Sequence, residues 1–401
     1  MAGRGNQMEQ KQNNMPRPEL SQDIIEEILS RLPVKSLLRF KCVSRSWYAL
    51  ISSPSFARMQ LERASETSVL ITSTPCRLNL VDYETSFCEV PLDFPPKRQD
   101  RRVRIMGSCH GLVAMALEKD KVFLWNPSTG DYKMLPDPCF PSSGTLYCHG
   151  FGYDSSTDDY KVLLCVQTWR SVSDDFYAEV TVSIFSLRNN SWRMIQSPSV
   201  DFSSLLFLNF SGYFVNGALH WLIAKEVTVE IQAFDLKTER FSIVPIADKP
   251  QNSFNYLKLG VLDGRLCLTF YSHNFYLNQP LSSSPVEIWV MKDYGVRESW
   301  TKFLTSEEKS TLMPLCISKG NEVISINEKK ELIRSGAEEA IAEKYRICKC
   351  DAGAVGDYHR RHQHQCHAIV CAQSLLSPNF HILVEDEKQK LGRNRKRKNM
   401  S

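Results

Sequence analysis

The hydrophobic positions change their period once along the chain, between Arg63 and Val69. Before that point apolar residues recur at helical intervals: Ile24, Ile25, Ile28, Leu29 and Leu32 form a stripe that Pro33 stops. Ser21 stands where a helix cap is needed, with Asp23, Glu26 and Glu27 near the positive end of the predicted helix. Leu37, Leu38, Phe40, Cys42 and Val43 predict a second short helix, and Trp47, Leu50 and Ile51 a third. Pro54 opens a fourth that runs to Arg63. The expectation is a small all-α bundle over residues 20–63, preceded by a polar, Gln/Asn-rich arm (1–19) expected to be disordered.

From Val69 onward, short apolar runs alternate with Gly, Asn, Asp, Ser and Pro clusters, the pattern of an all-β domain over 69–380. An internal repeat lies within it. "FLWNPSTGDYKMLP" (123–136), "SIFSLRNNSWRMIQ" (183–196) and "QAFDLKTERFSIVP" (232–245) pair aromatics across a polar turn: Trp125 with Tyr132, Phe185 with Trp192, Phe234 with Phe241. "EIWVMKDYGVRESWTKFL" (287–304) is expected to pair Trp289 with Trp300, and "LNLVDYETSFCEVP" (78–91) is a weaker copy. Gly-led strands such as "GSCHGLVAM" (107–115), "FVNGALHWLI" (214–223) and "VLDGRLCLTF" (261–270) precede the hairpins, and "SKGNEVISI" (318–326) has no evident hairpin partner. Such a unit, recurring every few tens of residues, predicts a propeller-like, radially repeated β fold of unread blade number. The fold class is therefore α+β multidomain: a helical bundle followed by an all-β propeller-like repeat domain.

Composition adds limits. The chain has 401 residues, 42% apolar and 10% aromatic, enough for a large core. Its net charge of +4 is contributed by the tail: Lys388, Lys390, Arg393, Arg395, Lys396, Arg397 and Lys398 follow the last acid, Glu387. The basic stretch 381–401 reads as a disordered arm or import signal and not as part of a nucleic-acid-binding body. Thirteen cysteines, an odd number without an apolar leader, point to reduced thiols, and no run is long enough to span a bilayer. A cytoplasmic or nuclear protein with no membrane partner is expected.

The spacing alone leaves open whether the bundle packs only on itself and the β domain or holds a surface out for a partner. The residues go further. "LSQDIIEEILSRLPVKSLLRFKCVSRSWYALISSPSF" (20–56) resembles the F-box in its plant form, with its Leu-Pro, Lys-Ser-Leu, Arg-Phe and Ser-x-x-Trp intervals. Ser21 stands where that family usually has Pro. The downstream "GSCHGLVAM", "LWNPSTGDYKMLP", "GFGYDSSTDDYKV", "NSWRMI", "FVNGALHWL", "AFDLKTERF", "EIWVMKDYGVRESWTK" and "AQSLLSP" resemble, in order, the plant F-box-associated domain. His110 replaces the family's usual Asn or Asp, so that turn is expected to differ slightly.

The resemblance implies a non-catalytic substrate-recognition subunit of a Skp-cullin-F-box ubiquitin ligase. Its bundle would bind a Skp-type adaptor, and through it cullin, while the β domain would capture a protein target for ubiquitination. Ile24, Ile28, Leu32, Pro33, Leu37, Phe40, Val43 and Trp47 would contact the adaptor or support that contact from beneath. No cofactor is implied. Target contacts are expected in long loops: Trp169, Arg170, Phe176 and Tyr177 in one, His273, Phe275 and Tyr276 in another.

Other features read more plainly. Trp125, Trp192, Trp221, Trp289 and Trp300 are expected in blade cores. "DSSTDDYK" (154–161) superficially matches a calcium loop, but it lacks the central Gly and terminal Glu and reads as a hairpin turn. Cys348, Cys350, Cys366 and Cys371 with His359, His362, His364 and His367 have zinc-ligand chemistry at spacings matching no familiar finger, so a divergent loop is expected. Two other classes stand beside the ligase reading. A propeller hydrolase would need acids and arginines converging on a central channel, and a nucleic-acid binder would act through the tail with strong salt dependence.

Overall fold

A computed structural model of the chain describes residues 20–380, apart from 64–66, 74–76, 85–86, 93–102, 118–120, 139–144, 173–174, 196–204, 208–209, 226–227, 249–255, 272, 275–278, 281–284, 307–311, 328, 337–342 and 347–367. Four helices come first: α1 (Gln22–Ser30), α2 (Val34–Phe40), α3 (Arg45–Ile51) and α4 (Pro54–Arg63). Their starts follow local chemistry. Ser21, Ser44 and Ser53 each accept, through the side-chain oxygen, the amide hydrogen three residues on, at 3.4, 3.1 and 3.2 Å. Pro33 ends the α1 connection and serves as the N-cap of α2.

The described strands of the β domain include six four-stranded antiparallel blades, a number the repeat did not reveal; the third and fourth are joined into one sheet by a short parallel pairing of Ser211–Gly212 with His149–Gly150. From the axis outward, the second blade is Val103–Cys109, Leu112–Leu117, Val122–Trp125 and Tyr132–Met134. The third is Thr145–Asp154, Asp159–Val172, Asp175–Ser186 and Ser191–Met194. Ser211–Val215, Ala218–Lys225, Thr228–Asp235 and Arg240–Val244 make the fourth. The fifth is Tyr256–Leu262, Arg265–Tyr271, Val286–Met291 and Trp300–Ser306, and the sixth is Leu312–Ile317, Val323–Asn327, Glu331–Ser335 and Glu343–Arg346. So "SKGNEVISI" does have its hairpin.

The first blade is composite. Its innermost strand, Ala368–Ala372, comes from the far end of the chain and pairs with Thr67–Ser73, followed by Arg77–Asp82 and Cys88–Leu92. This pairing closes the ring without leaving a free inner edge. Closure is reinforced by Asn126, which is fully buried. Its Nδ2 donates to the carbonyls of Ser374 (3.0 Å) and Leu376 (2.7 Å), and its Oδ1 accepts from the Ser128 amide (2.7 Å).

The core lies between blades. Trp125 packs in the interface of blades one and two, Trp221 between three and four, and Trp300 between four and five. Each such ring fills the gap that two twisted sheets leave. Gly212 is required at one of these seams, because a Cβ there would come within 2.6 Å of the Trp221 ring. Trp192 and Trp289 are only half-buried, a correction to their expected place in the core. The expected Trp289–Trp300 pair also does not form. A bulge at Ile288/Trp289 shifts the register so that Trp300 faces Met291 and Trp289 faces Lys302. Phe185–Trp192 and Phe234–Phe241 do pair, with ring centroids 5.2 and 4.8 Å apart.

His110 corrects another expectation. His110–Gly111 has φ of 52° and 79°, Asn216–Gly217 50° and 77°, and Asp263–Gly264 52° and 70°. All three close the same kind of two-residue hairpin with positive φ at both positions, so the histidine takes the same turn as Asn216 and Asp263.

Candidate functional site

The bundle has a buried layer and an exposed one. Leu29, Val34, Leu37, Ile51, Phe56 and Ala57 are buried in a cluster that also holds Met106, Leu112, Phe151, Tyr160 and Leu376 of the β domain. The underside of the bundle and the seam of blades two and three thus share one core. Leu37 belongs to this supporting layer and presents nothing outward.

The opposite layer remains apolar and in solvent. Ile24 and Ile28, four residues apart on one face of α1, are 49% and 50% exposed, and Val43 is 61% exposed. Pro33 is exposed; Leu32, Phe40 and Trp47 are half-buried. The rings of Phe40 and Trp47 meet edge-on at 5.6 Å and brace α2 against α3. Leu20 and Tyr48 add exposed apolar surface that the sequence reading left out. A signal for Tyr48 was available: once Trp47 and Ile51 define the inward face of α3, position 48 turns outward.

Polar contacts fix how the bundle sits. Arg58 of α4 pairs with Asp158 (2.5 Å), whose other carboxylate oxygen accepts from the Tyr153 hydroxyl at 2.6 Å. The His110 ring meets Tyr153 and Tyr160 edge-on, and its Nδ1 lies 3.0 Å from the Tyr160 hydroxyl. Burial pushes the His110 pKa down. Glu27 ties α1 to α4 through Arg63 at 2.7 Å and also holds Arg31 at 2.6 Å. Nothing in the sequence pattern pointed to Arg58–Asp158, because the partners are a hundred residues apart.

The docking seam uses the turns between first and second strands: His110–Gly111 in blade two and Asp158 in blade three. In an up-and-down blade, the connections between second and third strands lie on the opposite face. Both segments expected to meet a target are connections of that second kind. The backbone of the first is not the irregular loop expected. Asp159–Val172 and Asp175–Ser186 pair without interruption to their tip, with Trp169 opposite Ala178 and Arg170 opposite Tyr177. Among the described residues, pairing to the inner strand runs out to Thr145–Gln167. The side chains of Trp169, Arg170, Phe176, Tyr177 and His273 lie outside the described residues, as do Phe275 and Tyr276 entirely. The backbone of His273–Asn274 pairs with Gln279–Pro280.

Turn acids are engaged locally. Asp154 accepts from Ser156, Thr157 and Lys161, and Asp235 from Lys237 and Thr238, so "DSSTDDYK" is a hairpin turn held by its own donors. Of the Cys/His group, Cys371 is a buried free thiol in the ring-closing strand, and the other seven positions lie outside the described residues. No helix among the described residues is long and apolar enough to cross a membrane.

Residues 18–59 match the F-box domain family, and residues 63–377 match the F-box associated beta propeller domain. The chain is an F-box protein. Its relatives include F-box protein CPR1 of Arabidopsis thaliana, 31% identical over 74% of this chain and 76% of that protein. F-box/kelch-repeat protein At3g23880 of the same plant is 30% identical over 74% of this chain and 82% of that one. In this F-box protein the exposed apolar layer lies on the F-box itself, and the family propeller carries it on one face. Together the two domains have the architecture of an SCF-type substrate receptor.

Proposed function

We propose that the F-box docks a Skp-type adaptor, and through it a cullin, through Ile24, Ile28, Leu32, Pro33, Phe40, Val43 and Trp47, with Leu37 supporting them from beneath. The propeller captures a target protein on the face opposite the F-box, with Trp169, Arg170, Phe176, Tyr177, His273, Phe275 and Tyr276 as the proposed contacts, and presents it for ubiquitination in the cytoplasm or nucleus. The observation that carries this reading is the two-sided bundle. One layer is committed to a core shared with the propeller, while large aliphatic side chains on the other stay in water, the mark of a surface awaiting a partner.

The receptor supplies no reacting group in this scheme. It holds a target lysine near the charged ubiquitin, so acceleration comes from proximity, and a bundle fixed rigidly on the propeller keeps that distance defined. The test is proximity labelling in plant cells with the full chain and with a Leu32→Ala/Pro33→Ala variant. The reading expects proteins that accumulate with the variant and are depleted with the parent. A labelled set of identical composition and abundance for both chains would overturn it.

A further inference from the structure

The innermost strands of the six blades line a partly open channel of about 220 Å³. Met106, Phe151, Tyr213, Phe214, Met313 and Val370 line it, and its described lining contains no Asp, Glu, Lys, Arg or His. Of its polar groups, Ser108 is committed, donating to the Val370 carbonyl at 2.5 Å. Tyr213 differs: among the described residues its hydroxyl reaches the sulfur of Met313, at 3.5 Å, and no oxygen or nitrogen. A thioether is a weak acceptor, so this phenol donor is poorly used where it stands. Burial raises its pKa, which keeps it a donor throughout the physiological range.

The size and position of the cavity narrow the occupant. Apolar cavities of about 150 Å³ stay dry and take up benzene, so this one has room for a substituted ring. An ion would enter without a counter-charge, at a prohibitive desolvation penalty. The lining runs from the first residues of two inner strands, Ser211 and Ala368, down to mid-strand positions: Tyr213 is central in Ser211–Val215, Val370 in Ala368–Ala372 and Met106 in Val103–Cys109. Tyr213 thus sits two residues, about 7 Å, below the strand ends, a depth that a small free molecule reaches and that only the longest side chains of a peptide on the rim would match.

We propose that the propeller channel is a binding site for a small, uncharged aromatic molecule carrying one hydrogen-bond acceptor, which Tyr213 holds through its hydroxyl. This site is separate from the adaptor surface and goes beyond the receptor reading.

Ethylbenzene and acetophenone share a ring and a two-carbon tail and differ by one carbonyl oxygen, so they serve as probes in calorimetric titration of the full chain. The expected result is one site for each, with acetophenone tighter by about fivefold, the yield of one buried hydrogen bond. Tyr213→Phe removes that preference and leaves ethylbenzene unchanged. Met313→Leu, nearly equal in volume, frees the hydroxyl and widens the preference. Val370→Trp fills the channel and abolishes binding of both probes; if that variant does not fold, the other two decide. The proposal is overturned if neither probe binds the parent, if the preference survives Tyr213→Phe, or if a folded Val370→Trp chain still binds both. Failure of the probes together with loss of target capture in Val370→Trp would assign the cavity to a target side chain instead.

Discussion

Replacing Phe56 with Ala tests how the F-box is attached. Phe56 is fully buried in α4, within the cluster that joins Leu29 and Leu37 of the bundle to Met106, Leu112 and Leu376 of the propeller. Removing a buried phenyl ring costs about 3 to 5 kcal/mol, part lost transfer energy and part cavity. The alternative anchor is much weaker: Arg58 and Asp158 have side chains 53% and 38% exposed, and such a pair contributes about 1 kcal/mol or less. Apolar burial therefore dominates the attachment. With an unfolding entropy of about 2.1 cal/mol/K per residue over the ordered part of the chain, Phe56→Ala lowers Tm by about 5 to 9 °C and Arg58→Ala by about 2 °C at most. Differential scanning calorimetry of the full chain should show one transition moving as a unit. A separate early transition, with the propeller peak unmoved, would refute the shared core and make the F-box an independent appendage.

Other consequences are open to simpler checks. Trp221→Ala, at a fully buried site between blades, destabilises by about 3 to 5 kcal/mol in urea unfolding, whereas half-buried Trp289→Ala costs about half as much; equal losses would contradict the core assignment. Asn126→Ala leaves buried carbonyls of the closing segment without their donor and costs about 2 to 4 kcal/mol, read by the same unfolding curves. His220 is buried, and its Nδ1 donates to the Tyr213 carbonyl at 3.1 Å while its Nε2 accepts from Tyr294 at 2.7 Å. Burial lowers its pKa to about 4. The folded state then binds fewer protons than the unfolded state, so this contribution is present above the unfolded pKa and is lost as pH falls towards 4. The loss is on the order of 3 kcal/mol, and His220→Gln should flatten that part of the stability–pH curve.

Much of this architecture was legible because local chemistry and packing agree. The Ser21 cap, Pro33 and Pro54 marked the helices, and the repeated Gly turns marked the hairpins, since both are decided within a few residues. Blade number was not legible, because closure depends on Ala368–Ala372 pairing with a strand about three hundred residues earlier. The Trp289 register failed for a related reason: a bulge is set by tertiary fit and leaves no periodic trace. On the F-box, helical spacing named the apolar residues but could not divide Leu37, which is buried, from Ile24, Ile28 and Val43, which are not. That division requires knowing where the propeller lies. The 167–179 stretch reads as a loop because Ser171, Ser173, Asp174 and Asp175 interrupt any regular apolar alternation, although its backbone pairs as a hairpin.

The central claim is that the exposed layer of the F-box is a docking surface for a Skp-type adaptor. Ile24 and Ile28 are half in solvent and absent from the shared core, so Asp at both positions should leave the fold intact. Calorimetric titration of the full chain with the purified adaptor measures the consequence directly. The account predicts that the Ile24→Asp/Ile28→Asp chain, with Tm within about 2 °C of the parent, binds at least about thirtyfold more weakly, a loss of about 2 kcal/mol. Unchanged affinity in that folded variant would contradict it.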